Sequence, residues 1–516
     1  MHFRTFSGTR SGRPANLLHC VGTLPLSFWM SNKLIAARLR DLDQASDYKT
    51  WREIAQELDV LEGGAAWKQD DTSDHYDYLL IKERLAEMRA LRKGGDTRQL
   101  VFTLYEGLHG NLGNLSNPSL YGVARVGTKT LIEQYVEEAA RCLDYLCAGD
   151  FPDFPEDEKI IFFKRTGTVF GRSALMLSGG ATLGMFHLGV IKALHERGLL
   201  PKVISGSSAG AIIAGIVGTR DDDQIKKIFE PGGLNLQAFQ SVSLRRVFKG
   251  GAVMDGGQLE RCLMENIGEE SFTQAFERTR RIIGVTVSPA DPHQQGRLLN
   301  YLASPHVLMR RAILASCAVP GVFPPVMLEA NDYLGRVVPY MPSKRWIDGS
   351  LANDLPMLRL ARLHNCNHYI VSQTNPHIVP FMTDNVPKRG LLPLARELAS
   401  SGSRGALTLA RAHMDPYGAG RVLNKIDNIT RQKYSGDVNI FPRHSPKQLL
   451  NMFANPSDEE IQRFIRDGER STWPKLERIR NQTRISRAFD DCIALLKQRS
   501  IERQQPRPRL RLRAVK

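Results

Sequence analysis

No stretch of this 516-residue chain approaches the roughly 20 consecutive apolar residues that a membrane-spanning helix needs. The best early candidate, Leu17 to Met30, is broken by His19 and Pro25 and has no clear small-residue cleavage site after it. Disulfide and metal frameworks are missing too. The seven cysteines are odd in number and scattered, with no Cys-x-x-Cys pair and no His-rich tract. That pattern indicates neither a disulfide scaffold nor a zinc site, and a reducing compartment is expected. No internal repeat is evident.

Acid is the scarcer charge: 54 Asp and Glu stand against 70 Lys and Arg, a net +16. The excess is uneven. From Lys497 to Lys516 eight basic residues face one Glu, and Pro506-Arg507-Pro508-Arg509-Leu510-Arg511-Leu512-Arg513 reads as a flexible basic arm. Anionic lipid head groups would attract it by roughly 1 kcal/mol per basic residue near the surface. A plain solvated tail is the alternative. Nucleic acid is disfavoured, because no recognised fold or aromatic-basic surface accompanies the charge.

The length implies several units, and four regions plus a tail are expected. Met30-Ser31-Asn32-Lys33 resembles a natural chain start, which makes residues 1–29 a non-native or disordered leader. Residues 30–150 read as a helical domain: Trp51, Ile54, Ala55 and Leu58 recur at helical spacing, as do runs over Leu79–Leu91 and Thr128–Leu146. Residues 155–385 change character. Short apolar runs at Ala174–Leu177, Val203–Ser205, Ile282–Val287 and His368–Val371 alternate with helical patterns at 184–198, 209–218, 257–267 and 307–316, which argues for an α/β layered sheet. Residues 386–496 turn mostly helical, apart from one more strand near Val438–Ile440, and 497–516 form the basic tail.

Chemistry concentrates in the α/β region. Gly206-Ser207-Ser208-Ala209-Gly210 lies between a strand and an Ala/Ile-rich helix. A serine at its centre sits on a turn so tight that its hydroxyl projects alone, backed by a helix N-terminus. Upstream, Ser178-Gly179-Gly180-Ala181-Thr182-Leu183-Gly184 leads from a strand into a helix. Consecutive glycines there let backbone N–H groups converge on an anion, either a dinucleotide phosphate or the oxyanion formed when serine attacks an ester. The stretch lacks a clean Gly-x-Gly-x-x-Gly and an acidic residue ending the next strand, so the oxyanion is the better reading.

Such a serine needs a base. His364, His368, His377, His413 and His444 follow it, none in an obvious motif. The Asp348-Gly349-Ser350 turn is the more economical choice, since a partly desolvated aspartate can take the proton directly. Asp255-Gly256-Gly257 competes, but it precedes a helix, where Asp is an ordinary cap. His187 is expected to be structural, and His109 to pin its own loop.

These motifs, with Ala315-Ser316-Cys317-Ala318-Val319-Pro320-Gly321-Val322-Phe323-Pro324-Pro325 and Asn353-Asp354-Leu355-Pro356, occur in the order found in patatin-like phospholipases. The resemblance covers residues 174–375. It extends to the branch of fungal lipid-droplet triacylglycerol lipases and their bacterial relatives through Trp51, Trp67, the His109–Leu115 loop, Met185–Gly189 and Tyr434–Ile440. It implies a three-layer α/β/α core with an added helical N-terminal domain and a helical C-terminal region. It also implies a Ser208–Asp348 dyad without histidine, an oxyanion hole of Gly179, Gly180 and Ala181 amides, and motif glycines at 184, 206, 210 and 349. No metal or organic cofactor is implied. The activity implied is a serine lipid acyl hydrolase, triacylglycerol lipase-like. Phospholipase or lysophospholipase specificity, or a catalytically weak lipid-surface scaffold, are the alternatives. The lipid substrate would be met at a membrane or droplet surface by a cytoplasmic, peripheral enzyme, with Leu391–Leu394 and the tail as candidate contacts. Two departures stand out: Ala181 replaces the third glycine of the family pattern, and Ser350 replaces the commoner Gly or Ala. No His-x4-Asp box occurs, so acyltransferase activity is not carried over.

Overall fold

The computed structural model describes residues 26–230, 232–238, 254, 256–291, 294–350, 354–376, 378–379, 382, 434–442 and 454–504. Asp255, Asn353, His377, His413, His444, Leu391–Leu394, the 506–513 arm and most of the expected leader lie outside the described residues.

The strands are β1 (Arg172–Leu177), β2 (Val203–Gly206), β3 (Ile282–Pro289), β4 (Arg297–Leu299), β5 (Leu328–Asn331), β6 (Val337–Tyr340), β7 (Trp346–Asp348), β8 (Cys366–Ser372) and β9 (Val438–Ile440). Seven form one sheet in the order β4-β3-β2-β1-β8-β9, with β7 also paired to β3, while β5 and β6 form a separate hairpin. Strands β3, β2, β1, β8 and β9 run parallel; β4 and β7 run antiparallel to β3.

The central strands read as continuous apolar runs because both faces of the sheet are covered. Leu175, Leu177, Ile204, Ile283 and Val285 join the core that also holds buried residues of helices Phe186–Glu196, Ala209–Gly218 and Asp458–Thr472. On the other face, Ala174, Met176, Val203, Ile282 and Val371 meet Leu355 and Leu360, the latter from helix Met357–His364. This is the expected three-layer α/β/α arrangement. Helix Ala209–Gly218 is apolar on every side and almost wholly buried, as a helix enclosed by sheet and further helices must be.

The chain leaves β1 for β2 and β3 on one side and returns as β8 on the other. The loops leaving the carboxyl ends of β1 and β8 therefore part in opposite directions, and a crevice opens there.

The helical regions start from local signals. Asp47, Asp77 and Asp96 each accept a hydrogen bond from the backbone N–H three residues on, at 3.0 Å, and cap helices Tyr48–Leu61, Tyr78–Gly94 and Thr97–Gly107. Ser457 and Glu460 form a capping box at the start of Asp458–Thr472.

The packing redraws the expected regions. Helix Glu156–Phe170, placed with the catalytic region on sequence, buries Phe162 and Phe163 in a second core with Leu85, Leu100 and Leu143 of the N-terminal helices. Phe489 and Leu496 of the last helix, Leu476–Gln504, share that core. Leu42, Trp51 and Leu58, by contrast, belong to the core beneath the sheet, where Trp51 meets Trp473 at 6.5 Å between ring centroids. Strand β9 pairs with β8, so the expected C-terminal region contributes an edge of the sheet. The last helix continues to Gln504, eight residues into the segment read as a tail, and the first helix already begins at Leu26.

Candidate active site

Strand β2 ends at Gly206, and two residues later Ser208 opens helix Ala209–Gly218 with φ 51° and ψ −122°. A side-chain-bearing residue there costs on the order of 1–3 kcal/mol and persists only where its surroundings enforce it. Two glycines do much of the enforcing. A Cβ on Gly206 would run into the Gly210 carbonyl, and one on Gly210 into the carbonyls of Leu177 and Ser178. The Ser208 amide donates to Ser316 Oγ at 2.9 Å, which ties the elbow to helix Met309–Ser316.

Asp348 ends β7, opposite Val287 of β3. Beneath it Gly349 presses on the Thr286 carbonyl, where a Cβ would not fit. Asp348 is fully buried; its Oδ1 accepts the Ser350 amide at 2.7 Å, and its Oδ2 is buried without a hydrogen-bond partner among the described residues. Burial pushes its pKa up to about 6, against the pull of hydrogen bonding from Ser350 and of the Ser208 hydroxyl. The hydroxyl is thus near enough to favour the charged carboxylate, although no hydrogen bond of ordinary length joins the two. Contacts between catalytic groups are often long until substrate binds. Cys317 stands beside both groups: burial and the Asp348 charge raise its pKa, so its thiol stays protonated.

The glycine loop closes the group. A Cβ built on Gly179 would lie 3.4 Å from the Cβ atoms of both Ser208 and Ser350, so motifs from three parts of the chain meet at one point. Not all the expected hole amides are free, however. Gly179 N–H donates to Asp354 Oδ1 at 3.0 Å, so this amide is already engaged. The amides of Gly180, Ala181 and Ala209 donate to nothing among the described residues. Those three, at a loop and a helix N-terminus, are the donors available to an oxyanion. Ala181 holds φ 49°, the left-handed region that a glycine would occupy without strain. Gly184 packs against the Ala209 side chain, and Gly180 against Thr374.

Asp354 was not foreseen as a site residue. It is buried, bonded to Gly179 and to the Asn375 amide, and burial raises its pKa to about 7, with the Asp348 charge adding to the effect. It joins the glycine loop to the loop leaving β8 across the crevice. Its local sequence, a turn before Leu355-Pro356, holds no cue to a partner 175 positions upstream.

The candidate histidines that the structure describes are held by other partners, and His377, His413 and His444 lie outside the described residues. His187 is buried in the fold, bonded through Nδ1 to Ser372 Oγ at 2.7 Å and through Nε2 to the Ser178 carbonyl at 3.0 Å. Burial lowers its pKa to about 4, so it is a neutral strut of the glycine loop. His364 stacks on Tyr301, and His368 bonds Ser173 and Gln482. His109 bonds the Glu106 carbonyl at 2.8 Å, pinning its loop.

Ser208 lines an apolar cavity that opens to the surface. Met185, Ile212, Leu236, Leu259, Leu263 and Phe323 form its apolar wall, and Ala181 and Ala209 line it together with Ser208. A nucleophile and free amides lining an apolar cavity can hold an ester carbonyl with its hydrocarbon chain alongside. Among the described residues no cluster fit to hold a metal ion is present.

Comparison with known proteins reached the same regions. A family model described as patatin-like phospholipase matches residues 175–361, and one described as a domain of unknown function, DUF3336, matches residues 28–168. Triacylglycerol lipase ptl3 of Schizosaccharomyces pombe is 36% identical over 457 residues, covering 86% of this chain and 94% of the relative. Triacylglycerol lipase SDP1L of Arabidopsis thaliana is 36% identical over 477 residues, covering 88% of this chain; the chain spans only 58% of that relative's length. The crystal structure of VipD from Legionella pneumophila covers 64% of this chain and 67% of its own, at 15% identity and a TM-score of 0.24, a likeness too faint to build on.

Proposed function

Because this chain belongs to the patatin-like phospholipase family, we propose that it is a serine lipid acyl hydrolase that cleaves the fatty-acyl esters of triacylglycerol. Asp348 Oδ2 takes the proton of Ser208, whose oxygen attacks the acyl carbonyl. The Gly180, Ala181 and Ala209 amides receive the developing oxyanion, and the apolar cavity receives the acyl chain. Departure of the glyceride alkoxide, protonated by Asp348, leaves an acyl-enzyme. Water, deprotonated by the same carboxylate, then attacks the acyl carbonyl; the bond to Ser208 breaks, the serine oxygen takes the proton back from Asp348, and the fatty acid leaves. No histidine and no cofactor enters the sequence of steps.

One observation carries this reading: a buried carboxylate oxygen with no hydrogen-bond partner among the described residues stands beside a strained serine that lines an apolar cavity. The substrate class rests on the names of the relatives, both called triacylglycerol lipases. No helix among the described residues is long and apolar enough to cross a membrane, and the enzyme is proposed to meet its substrate at a lipid surface. The test is fatty-acid release from emulsified triolein, from phosphatidylcholine vesicles and from lysophosphatidylcholine, by the wild type and by Ser208→Ala. Triolein as the best substrate, with all release lost in Ser208→Ala, is expected. Release unchanged by Ser208→Ala would overturn the mechanism, and preference for either phospholipid would overturn the substrate.

A further inference from the structure

The β5–β6 hairpin carries apolar side chains where a folded surface ordinarily avoids them. At its tip Tyr333 is 92% and Leu334 60% exposed. Along β6 the side chains alternate, so that Val337 and Pro339 face outward with Met341 just beyond them, while Val338 and Tyr340 turn inward. The outward row follows the tip along the chain, with Gly335 and Arg336 between them. Apolar exposure of this kind marks a binding surface.

Its position follows from the register. Strand β2 stops at Gly206 opposite Val285, whereas β3 runs on to pair Val287, Ser288 and Pro289 with Asp348, Ile347 and Trp346. Trp346 bridges back to Val326, two residues before β5 begins. The hairpin is therefore built onto the end of the sheet that holds Ser208, and its second strand leads directly into the segment ending at Asp348.

The charges around it are cationic. Arg297 reaches Met341 Sδ at 3.6 Å, and neither Arg297 nor the exposed Arg345 pairs with a carboxylate among the described residues. The acidic groups nearby are already engaged: Asp332 by Arg336, Asp291 by Lys344, and Glu329 by Arg310 and Arg311. A second copy adding a strand is disfavoured, because Pro339 removes a backbone donor from β6.

We propose that the β5–β6 hairpin is the surface by which the enzyme seats itself on lipid: Tyr333 and Leu334 enter the acyl boundary while Arg297 and Arg345 meet anionic head groups. The proposal rests on the lipid-ester reading of the site, but its test is separate. Binding of the full chain to vesicles of phosphatidylcholine mixed with phosphatidylserine is measured by co-sedimentation, for the wild type and for the double variant Tyr333→Ser/Leu334→Ser. Hydrolysis of a dissolved short-chain ester and the sedimentation coefficient are measured alongside. The tip is exposed, so the double variant keeps its fold and its rate on the dissolved ester. Its vesicle affinity falls by about tenfold or more, as expected for withdrawing two apolar side chains, and Arg345→Glu weakens binding most at low salt. Equal vesicle binding by wild type and double variant would overturn the proposal, as would a wild type that does not bind. A wild-type oligomer that the double variant breaks, with vesicle binding unchanged, would assign the hairpin to self-association instead. Absence of ester hydrolysis in the wild type would count against the enzymatic reading alone.

Discussion

Replacing Asp348 by Asn should inactivate the protein and make it more stable. The carboxylate is wholly buried, and one of its oxygens has no hydrogen-bond partner among the described residues. Burial lifts its pKa from 3.8 to about 6. A carboxyl whose folded pKa exceeds its unfolded value binds protons more tightly in the folded state. Its ionisation therefore costs stability fully above about pH 6, and that cost fades as pH falls towards the unfolded value near 4. A difference of this size corresponds to about 3 kcal/mol. Asparagine has nearly the same shape, keeps an oxygen for the Ser350 amide and carries no charge, although its NH₂ must find an acceptor where Oδ2 now has none. Subtracting an imperfectly satisfied donor leaves an expected gain of about 1–2 kcal/mol at about pH 7.5. The Asp348 charge also raises the pKa of Asp354, so removing it eases a second buried group in the same direction. Urea unfolding followed by circular dichroism, on both proteins at about pH 7.5 and about pH 4.5, reads the difference. The variant should lead at the higher pH, with the lead shrinking at the lower, while ester hydrolysis falls by about 10²–10⁴-fold. A variant less stable at neutral pH, or a difference that ignores pH, would refute the reasoning.

Three further outcomes follow from the same geometry. In the wild type, kcat/KM for a dissolved ester should decline as pH drops through about 6, where Asp348 takes up a proton; a flat profile down to about pH 4.5 would contradict it. Asp354→Ala strips the acceptor from the Gly179 and Asn375 donors and should lower kcat by roughly tenfold or more with KM nearly unchanged. Asp354→Asn, which retains an oxygen for Gly179, should recover part of that loss. Ile212→Trp narrows the cavity beside Ser208, so long-chain esters should lose about tenfold or more relative to short-chain ones in a chain-length series; a uniform loss would mean that the acyl chain lies elsewhere.

Much of the fold was legible because its signals are local. The apolar run of 209–218 became a helix with those bounds, and the Ala174, Val203, Ile282 and His368 runs became parallel strands. The β5–β6 hairpin escaped notice, since two four-residue strands exposed on one face leave no apolar run. Region boundaries were poorly legible for another reason. Helix Glu156–Phe170 shows that it has an apolar face, but only the fold decides which core receives it. At the site, glycine spacing pointed to the positions where backbones approach too closely for a side chain, and the structure brings Gly179, Ser208 and Ser350 together. The capture of the Gly179 amide by Asp354 lay beyond reach, because it joins residues far apart in the chain through a single buried bond. His187, expected to be structural, braces the glycine loop for reasons of burial and two short hydrogen bonds.

The central claim is that Ser208 is a nucleophile activated by Asp348 without histidine. Intact-mass and peptide mapping after exposure of the folded protein to a fluorophosphonate probe tests it most directly. One adduct on Ser208, absent in Ser208→Ala and formed far more slowly in Asp348→Asn, is the predicted result. No adduct on folded protein, an adduct on another residue, or labelling of Asp348→Asn at the wild-type rate would contradict it.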